Sequence, residues 1–140
     1  MKNREQPDRT DTHAMPEISI EEDCGNSPRK QFLSDFYVAF VERNEEAIRS
    51  MLTDDVRLAI IGEETLDGSQ SVVDSMDLFL DGISEITVNN IITHGDMAAV
   101  TGVITADSGD THAFCEVFEF EGHTKGAKIE SIDSYVVEMG

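Results

Sequence analysis

The hydrophobic period of this chain changes at Gly82, and that change confines it to few architectures. Before Gly82 apolar residues return every three or four positions; after it they alternate with polar ones. The first spacing buries one face of a helix, the second one face of a strand. Phe32, Phe36 and Phe40, flanked by Leu33, Tyr37 and Val41, predict a helix that begins with Ser27 as N-cap and Pro28 at its first position. Asn44 caps a second, short helix carrying Ala47, Ile48, Met51 and Leu52. Residues 56–61 read as a strand ending at Gly62. The polar turn EETLDG then leads to a third helix over 71–80, with Ser71 and Asp74 spaced as a capping box and Asp81-Gly82 closing it.

Beyond Gly82, strands are expected over 86–93, 97–105, 111–120 and 128–138. His94-Gly95-Asp96 and Ser108-Gly109-Asp110 are tight hairpin turns, and residues 121–127 form a longer one. Helices first and a meander after predict an α+β domain, its N-terminal helices packed on one face of a strongly curved antiparallel sheet. The folded domain is expected over residues 28–140. Residues 1–27 are polar, hold two prolines and lack a sustained period, so they read as a flexible tail with Ile18 and Ile20 as a short docking segment.

Charge narrows the functions open to such a domain. Acidic residues number 29 against 10 basic ones, and no Lys or Arg occurs from Leu58 through Thr124. Binding to nucleic acid or to an anionic membrane needs a basic face, so neither is expected. The acid excess fits a solvated surface, a saline habitat or docking to a basic partner. No apolar run is long enough for a signal peptide or a membrane span. Cys24 and Cys115 stand in no zinc-type spacing with the histidines, so two free thiols in a reduced, cytoplasmic compartment are expected, with no metal and no cofactor.

Alternation within 111–120 selects candidate site residues. His112, Phe114, Glu116, Phe118 and Phe120 share one strand face, and the phenylalanines mark it as the face that the helices cover. Glu116 thus falls in an apolar row, where a carboxyl must be paired, hydrogen-bonded or protonated. Three readings stand: a twisting strand carries Glu116 to solvent, Glu116 serves a pocket, or Arg29, Arg43, Arg49 or Arg57 pairs with it. His112 shares the face, but a lone His near a strand start is more often a surface residue. Tyr37, with Phe36 and Phe40, reads as part of an aromatic helix stripe.

Five phrases carry a family resemblance: FYVAFVERNEEAIRSMLTDDVRL, LDGSQSVVDSMDLFL, THGDMAAVTGVI, FEFEG and KIESIDSYVV. In order and spacing, from about Ser27 to Val137, they resemble the NTF2-like superfamily, which includes ketosteroid isomerase and SnoaL-type cyclases. The resemblance implies a cone-shaped α+β barrel, a pocket between helices and concave sheet, and a homodimer. It puts Glu116 where ketosteroid isomerase holds a protonated acid of its oxyanion hole, and Tyr37 where that enzyme holds the partnering tyrosine. The position of that enzyme's catalytic base is Ile60 here, between Ala59 and Ile61. Epoxide hydrolysis of the limonene type needs an Asp-Arg-Asp set that a stretch without arginine does not readily supply. The alternation after Lys128 turns Ile132, Ser134 and Val136 toward the pocket and Asp133 away from it.

The candidate catalytic residues are therefore Tyr37 and Glu116, and the candidate ligand contacts Phe36, Phe40, Ile60, His112, Phe114, Phe118, Ile132 and Ser134. The expected function is binding of a small, largely apolar, uncharged or cationic molecule. The alternatives are an isomerase or cyclase acting on a polyketide- or steroid-like carbonyl compound, and a dimerisation module with a vestigial pocket. Homodimerisation is expected through the face bearing Ala113, Cys115 and Val117.

Overall fold

The computed structural model describes residues 15–139. Its elements are β1 (Glu17–Ile20), α1 (Pro28–Val41), α2 (Glu45–Met51), β2 (Leu52–Ile60), β3 (Thr65–Asp67), α3 (Ser69–Leu80), β4 (Ile83–His94), β5 (Met97–Ala106), β6 (Thr111–Phe120) and β7 (Ile129–Glu138). The three helices pack on one face of a seven-stranded sheet of order β1-β4-β5-β6-β7-β2-β3. Caps set the starts of the first two helices. Ser27 Oγ accepts from the Lys30 N–H at 3.2 Å, and Asn44 Oδ1 from the Ala47 N–H at 3.2 Å. The third helix departs from expectation. It begins at Ser69 after Gly68, whose φ of 95° only glycine adopts readily, and no side chain caps it. The Ser71/Asp74 capping box does not form.

The meander β4–β5–β6–β7 is antiparallel throughout, as the alternation predicts. The whole sheet is mixed, not antiparallel: β2 joins β7 in parallel and β1 joins β4 in parallel. Parallel neighbours need long connections, and both pairs are joined through segments containing helices. The strand β1 also corrects the expected tail. Residues 17–20 extend the sheet, with Ile18 beside Ile86 and Ile20 beside Val88, while residues 1–14 lie outside the described residues.

Curvature comes from interruptions in the meander. Between Val88 and Asn90 a bulge in β4 shifts the register, so the buried residues run Ile86, Val88 and then Ile91. A bulge bends its strand and increases local twist. Opposite Val88 lies Gly102, where a Cβ would collide with the Thr87 carbonyl oxygen and come within 2.6 Å of the Phe114 ring. Glycine is required at that approach. The helices fill most of the resulting concavity with Leu33, Phe36, Val41, Ile48, Val72 and Met76, all buried against the sheet. Toward one end the filling stops, and a cavity remains.

Candidate functional site

The cavity measures about 270 Å³. Phe36, Tyr37 and Phe40 of α1 and Val72, Phe79 and Leu80 of α3 form one wall. The sheet supplies Leu58 and Ile60 from β2, Ile83, Ile86 and Ile104 from β4 and β5, Phe114 and Glu116 from β6, and Ile132, Ser134 and Val136 from β7. Glu63, in the turn between β2 and β3, completes the lining. Glu63 is exposed and Val136 is 46% exposed, which marks the mouth on their side.

One polar cluster interrupts the apolar wall. Tyr37 Oη donates to Glu116 Oε1 at 2.5 Å, and Ser134 Oγ donates to Glu116 Oε2 at 2.9 Å. Register explains Ser134, which stands directly across from Glu116 on the neighbouring strand, with Ile60 next in the row on β2. Tyr37 arrives from the helix layer because the stripe of α1 turns Leu33, Phe36, Tyr37 and Val41 inward together. Its ring packs against Phe114 and Phe118, with centroids 6.1 and 6.2 Å away.

Electrostatics at the cluster are those of a carboxyl without a counter-ion. Burial pushes the Glu116 carboxyl above the usual carboxylate range, and the two hydroxyl bonds only partly oppose this. Part of the residue still faces the cavity, which is why its exposure is intermediate. The Tyr37 phenol is pushed well above its ordinary value, by burial first and then by the neighbouring Glu116 charge. None of the four arginines considered as partners reaches it. Arg29 stacks over Phe120 and bonds the carbonyls of Gly122 and Thr124. Arg43 pairs with Asp77, and Arg49 holds Gln70 and Glu45. Arg57 is exposed. The readings of Glu116 as a buried ion pair or a solvent-facing strand end therefore both fail.

Of the candidate contacts, Phe36, Phe40, Ile60, Phe114, Ile132 and Ser134 line the cavity with Tyr37 and Glu116. Two do not. Phe118 is fully buried, packed edge-on against Phe36 at 5.8 Å, and belongs to the core beneath the cavity. His112 lies at the start of β6, opposite Ile104 and Glu138 and beyond Phe114, outside the lining. Face alternation assigned both to the correct side; depth along the strand separated them from the site. Glu63 was missed because a turn has no period. Phe79 was missed although the pattern of its helix contains it, and Ile83 because β4 begins three residues before the strand expected over 86–93. Among the described residues no three His, Cys, Asp or Glu side chains converge to hold a metal ion, and no helix is long and apolar enough to cross a membrane.

No family model matches the chain, and no curated protein does. Solved structures do. An NTF2-like protein of unknown function from Burkholderia xenovorans LB400 superposes with a TM-score of 0.70 at 13% identity, covering 84% of this chain and 89% of its own. A Kribbella flavida DSM 17836 protein provisionally named a ketosteroid isomerase gives 0.67 at 16%, covering 81% and 80%. A de novo designed protein with a curved β-sheet gives 0.66 at 20%, covering 80% and 87%. A protein of unknown function, one only provisionally named an isomerase and a designed chain share this architecture, so the architecture carries no activity by itself. On these superpositions, the three helices and the bent mixed sheet of this chain constitute the NTF2-like fold.

Proposed function

We propose that the chain binds a small, largely apolar, uncharged or cationic molecule in the cavity, with Glu116 as its polar anchor. The observation that carries this reading is an open apolar cavity containing one organised polar cluster. Binding sites of this kind have mostly hydrophobic walls and few, well-placed polar groups. Side chains that filled the cone would have favoured a vestigial pocket. Native mass spectrometry after incubation with a mixture of small apolar alcohols, ketones and amines tests it. Retained ligand is expected, and Val136→Trp, which plugs the mouth at an exposed position, should abolish retention. No retained species in either protein would leave the dimerisation module as the better account.

An enzyme of the isomerase or cyclase class is the second reading. Its support is that Tyr37 and Glu116 are hydrogen-bonded to each other inside the cavity. Two such groups could serve an enolate-like oxygen once Tyr37 redirects its proton. Ile60 supplies no base, and Glu63 is the one other carboxyl in the lining. Deuterium wash-out from carbons next to an apolar ketone, lost in Glu63→Gln, is the expected signature of that chemistry.

A homodimer through the outer sheet face completes the proposal. Ala113, Cys115 and Val117 stand there with Tyr135, 44% exposed, and Val137, 64% exposed. Light scattering at micromolar concentration should give twice the chain mass. The setting that fits two free, half-buried thiols is the cytoplasm.

A further inference from the structure

We infer that the cavity selects a hydrophobic ammonium ion, an amine carrying one positive charge on an apolar body, and seats its nitrogen against Glu116. This rests on the cavity being a ligand site and specifies the ligand's chemistry.

The first argument is an inventory of donors and acceptors. Among the lining side chains only Tyr37 and Ser134 have protons to donate as hydroxyls, and both direct them to Glu116. A carboxylate has about four lone-pair positions, so two remain for a ligand after those bonds. The other polar side chain of the lining, Glu63, is also an acceptor. Once Glu116 is ionised, a ligand that brings only an acceptor, such as a ketone or carboxylate, meets acceptors. A ligand that brings N–H groups is complementary.

Charge points the same way. The lining contains two acids and no base, and no Lys or Arg occurs from Leu58 through Thr124. Glu116 has neutral partners only, so its negative charge is uncompensated among apolar walls, and burial holds it back from ionising. An ammonium group supplies the missing countercharge, and the pair then favours the ionised carboxyl. Five aromatic rings line the same space: Phe36, Tyr37, Phe40, Phe79 and Phe114. Their negative faces attract a cation more strongly where water is excluded. Glu63 at the exposed mouth draws cations toward the opening and repels anions.

Size limits the body of the ligand. A volume of 270 Å³ is the share of roughly nine waters in the liquid, enough for a phenyl or cyclohexyl amine with a short arm.

Proton balance supplies a signature that shape alone cannot. The ammonium arrives with its proton. When Glu116 is protonated beforehand, its carboxylic proton leaves to solvent as the N–H groups take its place, so binding releases up to one proton. The titratable groups around Glu116 are Tyr37 from α1 and Glu63 from the β2–β3 turn. The lining residues of α3, β4 and β5 are apolar, and β7 adds only the Ser134 hydroxyl. Tyr37 is held well above its ordinary range, so it does not contribute near neutrality.

The test compares phenethylamine, phenethyl alcohol and phenylacetate by isothermal titration calorimetry, repeated in two buffers of unlike ionisation enthalpy. A charge-assisted hydrogen bond is about twice as strong as a neutral one, so the amine should bind about tenfold tighter than the alcohol, with phenylacetate weakest. Amine affinity should rise with pH through the Glu116 titration and be accompanied by proton release. Glu116→Gln should erase both the preference and the proton release while still binding the alcohol. Glu63→Gln, at an exposed position, keeps the fold testable: it should weaken the amine more at low salt than at high salt. Equal affinity for alcohol and amine overturns the inference and leaves the pocket reading standing. Binding of none of the three overturns both.

Discussion

Glu22, between β1 and α1, and Glu116, midway along β6, each accept one hydrogen bond on each carboxylate oxygen. Glu22 takes the Ile91 N–H at 3.0 Å and the Lys30 ammonium at 3.1 Å. Glu116 takes two neutral hydroxyls at comparable distances. The results are opposite. The backbone N–H of Ile91, and after it Lys30, hold the Glu22 carboxyl below the usual range, whereas burial pushes Glu116 above it. The number of hydrogen bonds does not set the direction. What differs first is burial, which outweighs the two bonds at Glu116 and is outweighed at Glu22 by the backbone N–H and then the charged Lys30. Near β1 the acid serves the fold, extending the hold on β4 past the end of the strand. In the cavity the same side chain is left short of countercharge.

The largest effect is expected where the two regions meet. Gly102 pairs with Val88, beside the bulge that precedes Ile91, and with Phe114, beside Glu116. Gly102→Ala places a methyl group against the Thr87 carbonyl and the Phe114 ring, and should cost about 3 kcal/mol in urea unfolding. A loss below about 0.5 kcal/mol, the range of ordinary surface changes, would show that the strand relaxes and that the two regions are not rigidly joined.

Tyr37→Phe should come next, at about 1 kcal/mol, the usual net worth of a hydrogen bond. It removes a bond that pulls the Glu116 carboxyl down. Carbon-13 titration of that carboxyl should therefore show a further rise, and an unchanged midpoint would remove Tyr37 from the pair.

Glu116→Gln should be neutral or stabilising near pH 7, because the amide keeps the hydrogen-bonding shape of the acid without the cost of ionising among apolar walls. The sign follows from a folded-state value raised above the unfolded one. Stability tied to Glu116 is full below the unfolded pKa and is lost as pH rises through the folded pKa. Thermal melts across that window should decline with pH in the wild type and flatten in the variant.

Glu22→Gln should have the smallest effect and the opposite sign. With the folded value lowered, the contribution of Glu22 is present above the unfolded pKa and is lost as pH falls through the folded pKa. The variant should be slightly less stable at neutral pH and match the wild type in acid. Hydrogen exchange at the Ile91 amide should quicken in the variant, and unaltered protection there would mean that the side chain does not hold that strand.

Local chemistry made a large part of the molecule legible from the residues. The caps at Ser27 and Asn44, the stripe of α1, the hairpin turns at Gly95 and Gly109 and the inward face of β6 each depend on a few neighbouring residues. Alternation alone placed Glu116 among apolar neighbours, and a carboxyl there had to find an answer to burial. The same rule overreached at Phe118 and His112, since it reports a face and not a depth. It was silent at Glu63, because a turn repeats nothing.

The amino-acid sequence by itself determined the helices, the meander, the inward faces of β6 and β7 and the acidic character of the chain, all of which follow from local periodicity and composition. Tertiary structure decided the rest. The parallel docking of β1 and β2 depends on which distant edges come together. The bond between Tyr37 and Glu116 spans 79 positions and forms because the bulge at Val88–Asn90 and the bare Gly102 curve the sheet beneath the helices. Whether a cone is left open or filled depends on side chains from seven elements and a turn meeting in space, and no short-range pattern encodes their sum.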